Sequence, residues 1–118
     1  MVCLRSQLQY ERDFCDLMDK QGHHAERVAS SGRRKNSVCD VIVISTNRTY
    51  LVEIRATKSK TYRISNLHGI VEVSSRYNVV PLIAVRFKGN RYTPGRWVWK
   101  IIAKDLKKVD FNDRSDQI

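Results

Sequence analysis

The sequence predicts an α/β domain built on a central mixed five-stranded β-sheet flanked by helices. Three observations predict it. An amphipathic helix opens the chain. Two β-rich apolar runs, Asp40-Val41-Ile42-Val43-Ile44 and Tyr50-Leu51-Val52-Glu53-Ile54-Arg55, then follow one another across a short polar turn. A second helical stretch separates that hairpin from two further strands, which is the element order of a layered α/β domain.

The chain has 118 residues, enough for one domain with a real core, and 42% hydrophobic against 29% charged residues marks a globular rather than disordered protein. Residues 1–104 read as the domain and 105–118 as a polar, loosely ordered tail. The longest apolar runs are too short to span a bilayer, and Met1-Val2-Cys3-Leu4-Arg5 lacks a signal-peptide core, so an intracellular location without a membrane partner is expected. Cys3, Cys15 and Cys39 are odd in number and far apart, without zinc-ligand spacing, and read as free thiols. Lys and Arg outnumber Asp and Glu by 22 to 12, and a field of that sign attracts nucleic acid.

The elements follow in order. Leu4, Leu8, Glu11, Cys15 and Met18 recur at helical spacing, which predicts a helix from about Ser6 to Gln21 with Gly22 as its stop. That stripe points Glu11 inward; the alternative phase turns Tyr10, Phe14 and Leu17 to the core. A short strand over Ala25 to Ala29 leads into Ser30-Ser31-Gly32-Arg33-Arg34-Lys35, a loop suited to clamping phosphate because small residues allow close approach beside three cations. Strands over 39–46 and 49–57 flank the turn centred on Asn47. A second basic stretch, with Lys58 and Lys60, follows. Ser65-Asn66 caps a helix over Leu67 to Tyr77; Val79 to Phe87 and Arg96 to Ile102 are the last strands.

The anomalies are carboxylates on apolar elements. A buried carboxylate needs a partner or gives up its charge. Asn47 lies almost midway between Asp40 and Glu53, so the hairpin brings these two acids opposite each other to within about one residue. Glu11 is a third such acid. Together they offer the hard oxygen ligands that Mg²⁺ prefers, with Mn²⁺ as a substitute, and a bound divalent ion activates water for attack on phosphate. Arg55 shares a strand face with Glu53 and adds a stabilising cation.

These residues carry a resemblance. An acid on the first helix, then Asp40, then Glu53-Ile54-Arg55 resembles the PD-(D/E)xK, restriction-endonuclease-like nucleases, and more closely the archaeal-type Holliday junction resolvases. The likeness spans about residues 7 to 102. Gln9-Tyr10-Glu11-Arg12-Asp13-Phe14 is similar to that family's first helix, His24 to Gly32 to its strand and Ser/Gly loop, and Val80-Pro81-Leu82-Ile83-Ala84-Val85-Arg86-Phe87 to its late strand. The resemblance implies a Mg²⁺-dependent homodimer that binds four-way DNA junctions and resolves them by paired nicks. It implies Glu11, Asp40 and Glu53 as metal ligands and Arg55 as a catalytic residue. It also implies that Arg12, Arg27 and Ser31 contact phosphate or support the site, beside the basic Arg33, Arg34, Lys35, Lys58 and Lys60.

Two departures stand out. Cys39 occupies the place of the usual proline before the Asp, and Arg55 that of the usual lysine. Arginine is a planar fork that stays protonated, so it keeps the charge but cannot accept a proton. Lys58 compensates only if the strand ends or bulges before it. Two competing expectations are a non-catalytic junction- or duplex-binding protein of the same fold and a small basic RNA-binding module using Tyr92, Trp97 and Trp99. The retained acids, which repel phosphate, speak against the first. The lack of an interleaved aromatic pattern speaks against the second.

Overall fold

The computed structural model describes residues 6–28 and 37–118. Ser31, Arg33, Arg34 and Lys35, the expected phosphate clamp, lie outside the described residues, as does Cys3. Helix α1 spans Gln7–Lys20, and strands β1 His24–Arg27, β2 Val41–Ile44 and β3 Thr49–Thr57 follow. The short β4 Thr61–Arg63, helix α2 His68–Tyr77, β5 Val80–Phe87, β6 Arg96–Ile101 and β7 Lys108–Asp110 complete the chain. The central sheet runs β1-β2-β3-β5-β6. Its pairs are antiparallel except β3–β5, which is parallel and spans Tyr50↔Val80 to Thr57↔Phe87. A parallel pair needs a long crossover, and β4 with α2 supplies it. The expected mixed five-stranded sheet is therefore present, with a second sheet of β4 and β7 added.

Alternation along the strands sorts the core into two layers. Val41, Val43, Tyr50, Val52, Ile54 and Leu82 face α1, packing against Tyr10, Phe14 and Met18. Leu51, Ile83, Val85, Phe87 and Val98 face the other side, with Leu67, Ile70 and Val109. Helix α1 settles between the two expected phases. Tyr10, Glu11, Phe14 and Met18 are buried, while Leu8 is exposed. Phe14 is the anchor, tilted against Trp97 with ring centroids 5.2 Å apart and edge-on to Trp99 at 6.0 Å. Ser6 caps α1 by accepting from the Gln9 amide at 3.2 Å, satisfying one of the free N-terminal donors. The expected Ser65-Asn66 cap of α2 is not used: the N-cap is Leu67 with no side-chain hydrogen bond, because Asn66 takes a left-handed conformation at φ 58°. Glycine is required at Gly89, where a Cβ would collide with the backbone of Gly95 across the β5–β6 loop.

Beyond Asp105 the structure departs from the expectation of a loose polar tail. Strand β7 pairs with β4, and residues 115–118 strap the outer edge of β6. The Trp99 amide donates to Ser115 Oγ at 3.1 Å, Trp99 Nε1 to the Asp116 carbonyl at 2.6 Å, and the Ile101 amide to Asp116 Oδ2 at 2.6 Å. Lys100 Nζ stands 3.8 Å from Asp116 Oδ1, and Ile118 packs on the α1-side core. Asp116→Ala should lower stability by about 1–3 kcal/mol, because it leaves the Ile101 amide without its acceptor. Urea unfolding checks this; an unchanged midpoint would show that the strap contributes nothing. Among the described residues no helix is long and apolar enough to cross a membrane, and Cys15 and Cys39 are free thiols.

Candidate active site

The site lies where β2 begins and β3 nears its end. The hairpin pairs Val41 with Val52, so one further step of register sets Asp40 opposite Glu53. Backbone bonds lock Asp40 there: its amide donates to the Val52 carbonyl at 2.9 Å and its carbonyl accepts from the Val28 amide at 2.8 Å. Asp40 Oδ2 accepts from the Ile54 amide at 2.9 Å, an anchor that holds the carboxylate against the strand. Glu53 lies within hydrogen-bonding reach of the Asp40 carboxyl, and Arg55, two residues along, turns back onto both acids. Arg55 Nη1 donates to Glu53 Oε1 and, at 2.9 Å, to the Ile54 carbonyl, and it stands 3.7 Å from Asp40 Oδ2.

Burial first, and the neighbouring Asp40 charge second, push the Glu53 carboxyl up to about 7, and the Arg55 guanidinium offsets only part of that. Two acids sharing one half-buried place cannot both ionise freely. The folded-state value lies above the ordinary carboxylate value of 4.5. The stability Glu53 contributes is therefore full below about pH 4.5 and is lost as pH rises through about 7. Metal-free protein should accordingly melt lower at pH 8 than at pH 5, by on the order of 5 °C. Glu53→Gln should flatten that dependence; a melting temperature equally pH-dependent in the variant would place its origin elsewhere.

Glu11 sits one step further out. It is buried on α1, its Oε2 accepts from Gln7 Nε2 at 3.3 Å, and its Oε1 lies 3.6 Å from Arg27 Nη1. Burial, then the Asp40 charge, raises its pKa, and the bonds from Gln7 and Arg27 pull the other way. Gln7 Nε2 also donates to the Ile54 carbonyl at 3.0 Å and so stitches α1 to β3 beside the acids. Thus the structure joins Asp40, Glu53 and Arg55 directly and brings Glu11 and Arg27 alongside as a linked pair. Among the described residues no three His, Cys, Asp or Glu side chains stand together in metal-holding geometry.

The remaining predicted residues are peripheral. Arg12 is exposed on α1, and Lys58 is exposed in the turn after β3 without an ion pair to a described residue. Lys60 Nζ rests 3.9 Å above the Phe111 ring. Two participants escaped the sequence reading. Gln7 had a legible signal, since it precedes Glu11 by one helical turn. Tyr62 had none: it comes from β4, a strand without periodicity, and it stands beside the Arg55 guanidinium, whose pKa it helps to raise.

Comparison with known proteins agrees with this architecture. The profile of the family "Archaeal holliday junction resolvase (hjc)" matches residues 5–114. A "Crossover junction endodeoxyribonuclease" of Sulfolobus islandicus rod-shaped virus 1 is 26% identical over 84 residues, covering 67% of this chain and 69% of the relative. The crystal-resolved Hjc of Archaeoglobus fulgidus, a Holliday junction resolvase from an archaeal hyperthermophile, superposes with a TM-score of 0.68 at 17% identity, covering 87% of each chain. That likeness makes the mixed five-stranded sheet a restriction-endonuclease-like fold. The chain belongs to the archaeal Holliday junction resolvase family, a family of nucleases.

Proposed function

We propose that this protein is a divalent-metal-dependent endonuclease that binds four-way DNA junctions as a homodimer and resolves them by paired nicks. The observation that carries the reading is the convergence of Asp40 and Glu53, with Arg55 against both, at one end of the β2–β3 hairpin. The family membership supplies the substrate class, and the net charge of +10 fits a polyanion.

The donor set fits a hard cation such as Mg²⁺ or Mn²⁺. It is all oxygen, it holds two carboxylates within reach of each other, and one of them is kept from ionising until near neutral pH by burial first and by the other acid second. Asp40 and Glu53 are the residues that would hold the ion, with Glu11 available through water. When bound, the ion supplies an acidified water and neutralises charge on the phosphate. The chain's own residues do the rest. The Ile54 amide fixes the Asp40 carboxylate, and Gln7 and Arg27 hold Glu11 in place. Arg55 stays protonated, so it stabilises negative charge and does not take up the proton of attacking water. On this reading the exposed cations Arg12, Lys58 and Lys60 contact DNA, and Ser31, Arg33, Arg34 and Lys35, which lie outside the described residues, are assigned to phosphate contact. Two-fold symmetry matches the two symmetry-related cuts a junction needs, and exposed Val71 on α2 is a candidate for the shared surface.

The test is incubation with a labelled immobile four-way junction, in Mg²⁺ and in EDTA, beside Arg55→Lys. Symmetrical Mg²⁺-dependent nicking is the expected result. Tight binding without nicking, rescued by Arg55→Lys, would instead identify a junction-binding protein whose chemistry has lapsed. Absence of both binding and nicking would overturn the assignment.

A further inference from the structure

Arg55 enters the sequence reading as a substitute for a lysine, yet its guanidinium has a specific seat. One nitrogen, Nη1, donates to Glu53 Oε1 and to the Ile54 carbonyl at 2.9 Å, and lies 3.7 Å from Asp40 Oδ2. The Arg55 side chain is 35% exposed and the Glu53 side chain only 14%. A positive charge beside two facing carboxylates eases their repulsion, and here the chain provides its own. A divalent ion held by Asp40 and Glu53 would need the carboxylate charge that Arg55 now engages. Two cations cannot share that place without strong repulsion. A lysine would behave differently: its compact ammonium is more strongly hydrated and sits on a flexible stem, so it leaves the acids for water more readily than a planar guanidinium does. Beside the guanidinium stands Tyr62 of β4, packed on the same face of the sheet as Leu51, with a hydroxyl able to accept a guanidinium N–H.

Building on the metal-dependent reading above, we propose that Arg55 is a resident counter-ion which a divalent metal displaces from between Asp40 and Glu53, with the Tyr62 hydroxyl as the positioning group that receives it. The metal-free site is then closed by its own cation, and the ion competes with the protein for its ligands.

Calorimetric titration of the full chain with Mn²⁺, without DNA, tests this in wild type, Arg55→Lys, Tyr62→Phe and the double variant, each checked for folding by circular dichroism. Arg55→Lys keeps the charge and replaces the planar, weakly hydrated guanidinium with a strongly hydrated ammonium, so a change in affinity reports the seat and not the net charge. It should bind Mn²⁺ about tenfold more tightly than wild type, the worth of a charge-assisted hydrogen bond. Tyr62→Phe should bind roughly threefold more weakly, and that loss should vanish when Lys stands at position 55. A general packing role for Tyr62 would weaken binding in both backgrounds and would overturn its assignment. Equal, saturable Mn²⁺ binding by wild type and Arg55→Lys would overturn the counter-ion role while leaving the nuclease reading intact. Failure of both to bind Mn²⁺ would overturn the metal-dependent reading, and this inference with it.

Discussion

Asp40→Asn should reduce junction cleavage by about a thousandfold or more while leaving junction binding intact or slightly tighter. The magnitude follows from removing the carboxylate that, in the proposed function, holds the divalent ion, an effect comparable to losing a principal electrostatic group in an enzyme site. The amide is nearly isosteric, and its oxygen still accepts from the Ile54 amide that now holds Oδ2 at 2.9 Å. A loss of activity therefore reports charge and not shape. Removing a negative charge beside phosphate explains the unchanged or improved binding. The same substitution relieves the repulsion on Glu53, whose carboxyl Asp40 helps to push up to about 7. Metal-free Asp40→Asn should accordingly retain more of its stability at pH 8 than wild type. Single-turnover nicking and gel-shift titration measure the two halves, and cleavage at the wild-type rate would remove Asp40 from the site.

The second large effect belongs to packing. Phe14→Ala should cost about 3–5 kcal/mol, the usual range for a fully buried aromatic reduced to a methyl group. Phe14 has no exposed surface, and it touches both indoles of β6 while standing one turn along α1 from Glu11. Against a total stability of order 5–15 kcal/mol for a domain of this kind, such a loss leaves a thin margin. Phe14→Leu keeps most of the volume and should cost clearly less. Urea unfolding of both variants measures the difference. Equal midpoints for alanine and leucine would mean that the α1–β6 contact is not the anchor. Because Glu11 rides on the same helix, Phe14→Ala should also loosen the Glu11–Arg27 pair, 3.6 Å apart in the intact protein.

The hairpin was legible in the sequence for a simple reason. Val41 to Ile44 and Tyr50 to Ile54 are dense in β-branched residues, and a polar turn sets the register that puts Asp40 across from Glu53. Helix α1 was legible in extent but not in rotation. Its buried set mixes both phases because Glu11 turns toward the site while Leu8 turns outward. Strands β4 and β7 were hidden, since Thr61–Arg63 and Lys108–Asp110 are too short and too polar to show a period of two. The strap over β6 was hidden for a different reason: it depends on side-chain-to-backbone bonds from Ser115 and Asp116, which leave no pattern in composition. Likewise the presence of Arg55 was plain, but its seat against two acids, with Tyr62 beside it, exists only once β3, β4 and the hairpin are assembled.

The strap has one more consequence. A β-sheet with an open border invites a second sheet to extend it, amide row to carbonyl row. On the β6 side that border is already engaged, because the outward amides of Trp99 and Ile101 donate to Ser115 and Asp116, and the Trp99 carbonyl accepts from the Asp116 amide at 3.0 Å. The opposite border, β1, is four residues long and carries His24, Glu26 and Arg27, a poor template for strand addition. Two copies of this chain therefore have no ready route to a continuous ten-stranded sheet through β6. Any pairing of two copies through this side of the molecule has to use faces and helices instead of strand addition.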